Sequence, residues 1–459
     1  MLRITGGTIV TPEAMIRGDV LTDGAQIAAI GRVDAAGATP LPADGCLVLP
    51  GIIDCHVHYL LTSGAYTTRD DFASASRAAA AGGVTTAIDY VTQHKGESFQ
   101  AAIAGRRAEA EGQVYIDYGL HLIVTDVGQG QLDEVAAVVA GGVPSAKVYT
   151  TYKASGFYLD DWSWYRLLQR AGAAGLLVTV HAENDDLLEG RKAELVRAGA
   201  TALRYHAEAR PALAEVEAVH RGLLLARSAG APVYFVHLSS PASVHAIREA
   251  RRAGQRAFAE TCTHYLTLTD EVYAGPHPER YLMTPPLRGA AEQQELWRAL
   301  AAGDIDCVGS DHCGYSLDQR LGLDFTRVSP GIPGTELLLP LLYSEGVARG
   351  RIAPSQLVRV IADAPARLFG LYPRKGTIVP GADADLVIYD PAERWTVSAD
   401  ALHSRAGYSP YEGLTVQGRV RTTISRGEVI YDRGQFTGTP GRGRFVPGRP
   451  FAPEGVAAG

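Results

Sequence analysis

The sequence predicts an α/β protein: a (β/α)8 TIM barrel joined to a composite β-sandwich domain that is built from both termini. Over residues 51–370, apolar strand-like runs alternate with alanine-rich helical stretches, which is typical of repeated βα units. Residues 1–50 and 371–459 instead contain short strands with period-two patterning. No GxGxxG turn follows the first strand, so an open doubly wound sheet is the less favoured alternative.

The two ends of the chain carry the same kind of pattern. Residues 1–50 alternate polar and apolar positions around an Asp-Gly dipeptide at Asp23, which is a strong hairpin signal. Residues 371–459 repeat this pattern around an Arg-Gly turn at Arg426. We therefore expect both ends to form one β-domain. The tail after Gly441 is rich in Gly and Pro, and we expect it to run over the surface.

The central residues 51–370 are predicted to form the barrel, with a helix-like stretch after most strands. The predicted helices include DFASASRAAAAGG, FQAAIAGRRAEAEGQ and QLDEVAAVVAGG. The predicted strands include VTTAIDYV, YIDYGLHLIV, SAKVYTTY, GLLVTVHAEN, APVYFVHLSS, QRAFAETC and IDCVGSDHC. A repeat of this kind over roughly 320 residues suits a parallel barrel with insertions.

The composition excludes several classes of protein. The chain has 459 residues, with 43 lysines and arginines against 50 aspartates and glutamates, which gives a net charge of −7. Such a chain has no basic field to hold a nucleic acid, and no apolar run approaches the roughly 18 residues of a membrane span. Five scattered cysteines form no CxxC pair, which favours a reducing compartment. We therefore expect a cytoplasmic protein without nucleic-acid or membrane partners.

Several predicted barrel strands end in a side chain that can bind a metal. The first strand ends with His56 and His58, which point to the same side because they are two residues apart. Three later strands end with His181, His237 and Asp311. Because the carboxyl ends of barrel strands form one rim, we expect these side chains to meet there. Each residue alone is more often structural, but together they indicate a site.

A further strand carries Lys147 among apolar residues. A bare ammonium at this place would be costly to desolvate and would repel a metal ion. A lysine that has reacted with CO2 to give a carbamate instead presents two anionic oxygens and can bridge two metals. With Lys147 modified in this way, the four histidines and Asp311 would form a two-metal site. Zinc fits these ligands, and manganese, cobalt or nickel would be accepted by similar sets.

At this point the chain resembles a known family. The segments PGIIDCHVH, SAKVYTTYK, VHAEN, FVHLSS, ETCTHYL, TPPLR, GSDHC and DFTRVSPGIPGTE occur in the order found in cyclic amidohydrolases. The sequence looks like the hydantoinase/dihydropyrimidinase family of the amidohydrolase superfamily. The segments RYHAEARP, FTGTPGRGRF and DQRL look most like bacterial phenylhydantoinases, or D-hydantoinases. The resemblance covers nearly the whole chain. It implies a (β/α)8 barrel with a composite β-sandwich, and a homotetramer or homodimer.

The resemblance also implies a binuclear zinc centre with an N6-carboxylated lysine. His56 and His58 would bind the more buried zinc, together with Asp311. His181 and His237 would bind the more exposed zinc, and carboxylated Lys147 would bridge both ions.

Catalytic and ring-binding roles follow from the same resemblance. Asp311 would move a proton to the leaving ring nitrogen, and the Tyr152 hydroxyl would stabilise the oxyanion. Backbone groups of Thr284 and Pro330 would hold the substrate ring. Pro330 stands where the family has an asparagine, and a proline has no N–H to donate. Tyr66, Phe157 and Tyr158 are expected as apolar walls.

The favoured function is hydrolysis of the cyclic amide bond of 5-substituted hydantoins to N-carbamoyl amino acids. A dihydropyrimidinase acting on dihydrouracil or dihydrothymine is the close alternative. Allantoinase and dihydroorotase are less favoured, the latter because Leu60 stands where dihydroorotases carry an arginine for the substrate carboxylate. A non-catalytic dihydropyrimidinase-related scaffold is a different class, and it would be expected to lack some of the six metal ligands.

Overall fold

The computed structural model describes residues 1–34 and 36–452, and its centre is a barrel of eight parallel strands. The strands are β8 (Ile52–Val57), β11 (Val84–Thr92), β12 (Asp117–Ile123), β13 (Ser145–Tyr149), β14 (Leu177–His181), β15 (Val233–Phe235), β16 (Ala257–Cys262) and β17 (Cys307–Gly309). Each strand pairs in parallel with its neighbour in the order β17-β16-β15-β14-β13-β12-β11-β8. The predicted barrel fold is therefore confirmed.

The first and last barrel strands meet through side chains and a single backbone bridge. The backbone N–H of His58 donates to the carbonyl of His312 at 2.8 Å. Next to it, the Asp54 carboxylate accepts hydrogen bonds from the backbone N–H and the hydroxyl of Ser310, and from the hydroxyl of Thr335. These contacts place the segment after β17 beside the end of β8, so the last metal-type side chain of the sequence lies next to the first.

The barrel is surrounded by helices, several of which begin at the polar residues that cap helices well. Asp71, Ser98, Asp160 and Asn184 each accept a hydrogen bond from a backbone N–H in the first turn of the helix that follows. The α-helices are α1 (Phe72–Ala81), α2 (Phe99–Ala110), α3 (Gln129–Ala140), α4 (Asp161–Ala174), α5 (Asp185–Arg197), α6 (His206–Ala209), α7 (Ala212–Ala229), α8 (Pro241–Arg252), α9 (Thr263–Thr267), α10 (Ala290–Ala302), α11 (Leu338–Leu342), α12 (Pro354–Val358) and α13 (Ala364–Leu368).

Strands from both chain ends form two further sheets, as predicted. In sequence order these strands are β1 (Leu2–Thr5), β2 (Thr8–Val10), β3 (Met15–Arg17), β4 (Asp19–Asp23), β5 (Gln26–Gly31), β6 (Thr39–Pro42), β7 (Leu47–Pro50), β18 (Leu386–Thr396), β19 (Thr415–Ser425), β20 (Glu428–Asp432) and β21 (Gln435–Phe436). Four of them pair in the order β5-β4-β1-β6, and seven pair in the order β21-β20-β19-β18-β7-β2-β3. Ile4, Val20, Val48 and Ile388 pack into one core between these sheets.

The tail after Gly441 runs over the surface at the amino end of the barrel, as we expected, with several exposed residues and two apolar side chains buried against the barrel. Val446 and Phe451 are buried in a core shared with barrel residues. Backbone hydrogen bonds join Tyr118 to both Arg444 and Val446. The glycines and prolines of this segment allow its backbone to lie close against the barrel. From composition alone, the same residues suggest a loop that is fully solvated. The last residues, 453–459, lie outside the described part.

The remaining strands form a short hairpin near the end of β8, made of β9 (Thr62–Ser63) and β10 (Tyr66–Thr67). In the described part of the chain, no helix is both long enough and apolar enough to cross a membrane. All five cysteines are buried and unpaired.

Candidate active site

Six metal-type side chains converge at the carboxyl end of the barrel. Five of these side chains lie in, or directly after, the first, fourth, fifth and sixth barrel strands. The sixth side chain follows the eighth strand. The side chains are His56 and His58 at β8, Lys147 in β13, His181 at the end of β14, His237 after β15, and Asp311 after β17. Apart from Asp311, each of these residues is buried.

Three of these residues, His56, His58 and Asp311, form one compact group. Their ligand atoms all lie within 4.8 Å of one another, and Asp311 Oδ1 is 3.2 Å from His56 Nε2 and 3.5 Å from His58 Nε2. Burial lowers the pKa of both imidazoles well below the usual value, so their lone pairs stay available near neutral pH. Burial also raises the pKa of Asp311 to about 7. This arrangement can hold one metal ion.

Lys147 lies beside this group, buried among aromatic rings. Its Nζ is 3.0 Å from His56 Nε2 and lies over the rings of Tyr90 and Tyr149, at 4.2 and 5.0 Å from their centroids. No carboxylate within 4.0 Å pairs with it among the residues that the structure describes. Burial lowers the pKa of the amine to about 8. A neutral amine is the form that reacts with CO2, so the surroundings of Lys147 fit the predicted carbamate.

His181 and His237 form the outer part of the cluster. Their ring centroids are 4.5 Å apart, and His237 is 5.3 Å from the His56 ring. His181 Nε2 is already occupied by Glu183 Oε2 at 2.7 Å, which leaves Nδ1 for a ligand. His237 Nδ1 is buried and finds no hydrogen-bond partner in the described part of the chain. A buried polar atom without a partner is costly, so the pair fits a bound metal.

Local backbone conformation aims two of these side chains. His237 and Asp311 have positive φ angles of 40° and 49°, a left-handed conformation that residues other than glycine adopt rarely. This conformation directly after a strand turns the side chain away from the strand direction. The His237 backbone N–H is held by Glu260 Oε1 at 3.1 Å. At Gly309, an added Cβ would lie 2.9 Å from the Cβ of His56, so only glycine allows this approach.

Glu260 in β16 orients His56 by a hydrogen bond to its ring. Its carboxylate accepts hydrogen bonds from His56 Nδ1 at 2.6 Å and from the Tyr234 hydroxyl at 2.7 Å. Because Nδ1 is occupied, His56 can only present Nε2 to the cluster. Burial raises the pKa of Glu260 to about 8.

Tyr152 lies next to the outer histidines in a strained conformation. It has a φ of 68°, and its ring centroid is 5.4 Å from that of His181. Its hydroxyl is 2.5 Å from Thr284 Oγ1. Burial raises the pKa of Tyr152, which keeps the phenol protonated and able to donate. The structure thus brings Tyr152 and Thr284, both predicted as site residues, into direct contact.

Pro330 lies beside Thr284 at the cavity wall. The two segments are tied together because the Gly331 N–H donates to the Leu282 carbonyl at 2.8 Å. Arg320 is buried and donates to the Gly331 carbonyl, which fixes the peptide that follows Pro330. Both predicted ring-binding residues line the same cavity as the metal-type side chains.

The cavity above the cluster has a volume of about 710 Å³, within the usual range of small-molecule sites. Tyr66 and Phe157 line it as expected, but Tyr158 does not. Leu60 is 42% exposed and lies outside the lining, whereas its neighbour Leu61 is part of it. Leu61 rather than Leu60 is therefore the apolar residue of this segment that a substrate would meet.

Four residues at the site were not recognised from the sequence. Glu183, Glu260 and Arg210 hold or flank the cluster. The signal was present for the two glutamates, since Glu183 follows His181 by two residues and Glu260 is a charged residue inside an apolar strand. The fourth residue is His206, which is buried, lines the cavity, and donates from Nε2 to the Met283 carbonyl at 2.8 Å.

A second cluster of acids does not form a comparable site. The carboxylates of Asp117, Asp383 and Asp385 lie close together, but Lys375 Nζ is within 2.9 Å of all three. A cation already occupies the centre of this group, so it serves to stabilise the fold.

A parallel barrel with imidazoles, a carboxylate and a buried lysine at its carboxyl rim is typical of metal-dependent hydrolases. The chain belongs to the amidohydrolase family, whose model matches residues 47–430. The resemblance seen in the motifs is therefore confirmed. A D-phenylhydantoinase of Escherichia coli is 40% identical over 458 residues, covering 98% of each chain.

Solved structures agree with this placement. The crystal structure of dihydropyrimidinase from Brevibacillus agri has a TM-score of 0.96 and 40% identity, covering 98% of this chain and 99% of that chain. A structure of L-hydantoinase (dihydropyrimidinase) from Arthrobacter aurescens has a TM-score of 0.88 and 29% identity, covering 97% of this chain and 99% of that chain.

Proposed function

We propose that this protein is a hydantoinase, which hydrolyses the cyclic amide bond of 5-substituted hydantoins to give N-carbamoyl amino acids. The observation that carries the proposal is the convergence of six metal-type side chains on one cavity, next to a phenol that can donate. The named relatives support it, since they include a D-phenylhydantoinase and hydantoinases of both D and L designation.

The residues present fit two zinc ions. His56, His58 and Asp311 would hold one ion, and His181 with His237 would hold the other. Carboxylated Lys147 would supply an oxygen to each. Two zinc ions at this place would provide a hydroxide nucleophile near neutral pH and polarise the ring carbonyl.

Proton movement is the proposed task of Asp311. Its carboxylate lies at the cavity beside His56 and His58, where the attacking nucleophile would be held. A carboxylate in this position can take up a proton and release it again. Asp311 would therefore take the proton of the attacking nucleophile and pass it to the ring nitrogen as that nitrogen leaves.

Charge stabilisation is the proposed task of Tyr152. Its hydroxyl would leave Thr284 Oγ1 and donate to the carbonyl oxygen as negative charge develops there. Because Thr284 and Pro330 are adjacent at the wall, their backbone carbonyls would accept hydrogen bonds from the ring N–H groups. The apolar side chains of Leu61 and Phe157 would face the exocyclic substituent.

A hydrolysis panel tests the proposal directly. Purified protein loaded with zinc is assayed on hydantoin, 5-phenylhydantoin, dihydrouracil, dihydroorotate and allantoin. We expect the highest kcat/KM for 5-phenylhydantoin. A highest value for dihydrouracil would make the protein a dihydropyrimidinase, and a highest value for allantoin or dihydroorotate would contradict the proposal. Absence of turnover with every compound at full zinc loading would favour the scaffold class.

The bridging role of Lys147 is tested by replacement. Lys147→Ala should lose zinc and activity, and short carboxylic acids should restore part of both by replacing the carbamate oxygens. Lys192→Ala is the control, because Lys192 lies at the same cavity but pairs with Glu189 at the surface. A Lys147→Ala protein that keeps two tightly bound zinc ions and normal turnover would contradict the bridge.

A further inference from the structure

Arg210 links two parts of the candidate site that are distant in the sequence. It lies between α6 and α7, and its guanidinium forms a fork with the carboxylate of Glu183. Arg210 Nε donates to Glu183 Oε1 at 3.1 Å, and Nη2 donates to Glu183 Oε2. The Arg210 side chain is 15% exposed and that of Glu183 is fully buried. A bidentate pair of this kind fixes the orientation of both partners.

Glu183 connects the Arg210–Glu183 pair to His181, one of the proposed metal ligands. Glu183 Oε2 accepts a hydrogen bond from His181 Nε2 at 2.7 Å. The backbone of Glu183 is held as well, because its N–H donates to Thr150 Oγ1 at 3.0 Å and its carbonyl accepts from the same hydroxyl at 2.8 Å. The only part of Glu183 that can still move is its side chain, and Arg210 holds that side chain in place. The direction of the His181 ring therefore depends on Arg210.

The same guanidinium packs against Tyr152. The distance from Arg210 Cζ to the centre of the Tyr152 ring is 5.4 Å, within the range of cation–π contact. Tyr152 needs such support, because its left-handed backbone is unfavourable for a bulky residue. Arg210 therefore contacts Tyr152, which we propose for charge stabilisation. Through Glu183, it also orients His181, which we propose for metal binding.

We propose that Arg210 is a positioning residue that aligns His181 and Tyr152 together. This inference rests on the proposed function for its catalytic part, but its effect on metal binding stands without it. Two consequences distinguish this role from a general contribution to stability. Loss of the fork should weaken one zinc site and leave the other occupied. Replacement of Arg210 should also lower kcat less in a protein that already lacks the Tyr152 hydroxyl than in the unaltered protein.

The experiment compares full-length Arg210→Lys, Arg210→Gln and Glu183→Gln with the unaltered protein. Arg251→Lys is the matched control, because Arg251 forms a similarly buried pair with Asp306 at the opposite end of the barrel. Bound zinc is measured over a range of free zinc concentrations. We expect the affinity of one of the two sites to fall about 10- to 100-fold in all three site variants, the range observed when groups that orient metal ligands are removed. The control should keep both sites.

The second measurement is kcat and KM in a double-mutant cycle with Tyr152→Phe, at zinc concentrations that fill both sites. We expect Arg210→Lys to lower kcat more in the unaltered background than in Tyr152→Phe. A rise in KM alone would mean that Arg210 contacts the substrate directly, which would overturn the proposal. Wild-type zinc affinity in Arg210→Gln and Glu183→Gln would also overturn it, and these two variants provide the test if Arg210→Lys does not fold. Loss of zinc together with an unaltered protein that hydrolyses no hydantoin would contradict only the proposed function.

Discussion

Replacing Tyr152 by phenylalanine removes one hydroxyl and leaves the ring contacts of the site in place. Among residues 1–34 and 36–452, that hydroxyl has a single hydrogen-bond partner, Thr284 Oγ1 at 2.5 Å, and Thr284 is half-buried at the cavity. Because Thr284 can turn to water in the cavity, the loss of this hydrogen bond should cost only about 1 kcal/mol of stability. The ring should keep its place between His181 and Arg210. The variant is therefore expected to fold and to bind zinc as the unaltered protein does.

The effect on turnover should be much larger than the effect on stability. A donor that acts on developing negative charge contributes about 2.7–4 kcal/mol, so kcat should fall by roughly 10²- to 10³-fold. KM should change little, because the uncharged carbonyl of the bound substrate is a weaker acceptor. The assay is steady-state hydrolysis of 5-phenylhydantoin with zinc content measured on the same samples. Tyr165→Phe is the control, because Tyr165 is a half-buried tyrosine on α4 that does not line the cavity. An unchanged kcat in Tyr152→Phe with two zinc ions bound would refute the role of this hydroxyl.

Three further predictions concern proton transfer, substrate charge and stability. Asp311→Asn should lower kcat by about 10²- to 10⁴-fold, because an amide cannot carry the proton; kcat within tenfold of normal at full zinc loading would contradict this. Dihydroorotate should show a kcat/KM at least about 10²-fold below 5-phenylhydantoin, because the largely buried Arg210 at the cavity is already paired with Glu183, so the carboxylate of dihydroorotate would lose its hydration without gaining this cation as a partner; equal values would contradict the pocket assignment. Lys375→Met should lower the free energy of unfolding by about 3–5 kcal/mol, since it leaves three buried carboxylates without their shared cation. Burial would raise the pKa of Asp117, but Lys375 and Arg426 outweigh this and hold it below the usual value. Without the lysine that pKa rises above the unfolded value, so the deficit measured by denaturant unfolding should shrink from pH 7 to pH 5; a deficit that does not change with pH would contradict this account.

The sequence was most informative where a residue type is unusual for its surroundings. An imidazole or a lysine in an apolar strand is costly to bury, so His56, Lys147 and His181 stood out, and the barrel periodicity placed them at one rim. The hairpin at Asp23 was found for a similar reason, because a two-residue turn requires specific residues.

Other features of the site arise only in the folded chain and have no recognisable pattern in the sequence. The left-handed conformations at His237, Asp311 and Tyr152 occur at residues other than glycine, so no glycine in the sequence marked these positions. Arg210 lies in a short link between helices, where an arginine is normally solvated. The fold brings it to the cavity and pairs it with Glu183, a contact between residues in different βα units.

The segment after Gly441 has a consequence for the order in which the protein can be completed. A ribosome makes every barrel strand and every proposed metal ligand before it makes Val446 and Phe451, which cover the amino end of the barrel. During synthesis the apolar floor of the barrel is therefore open to water and to chaperones, even when the rim that carries the proposed site is already formed. A chain cut short before this segment would display that apolar surface, which would mark it for recognition by quality-control factors.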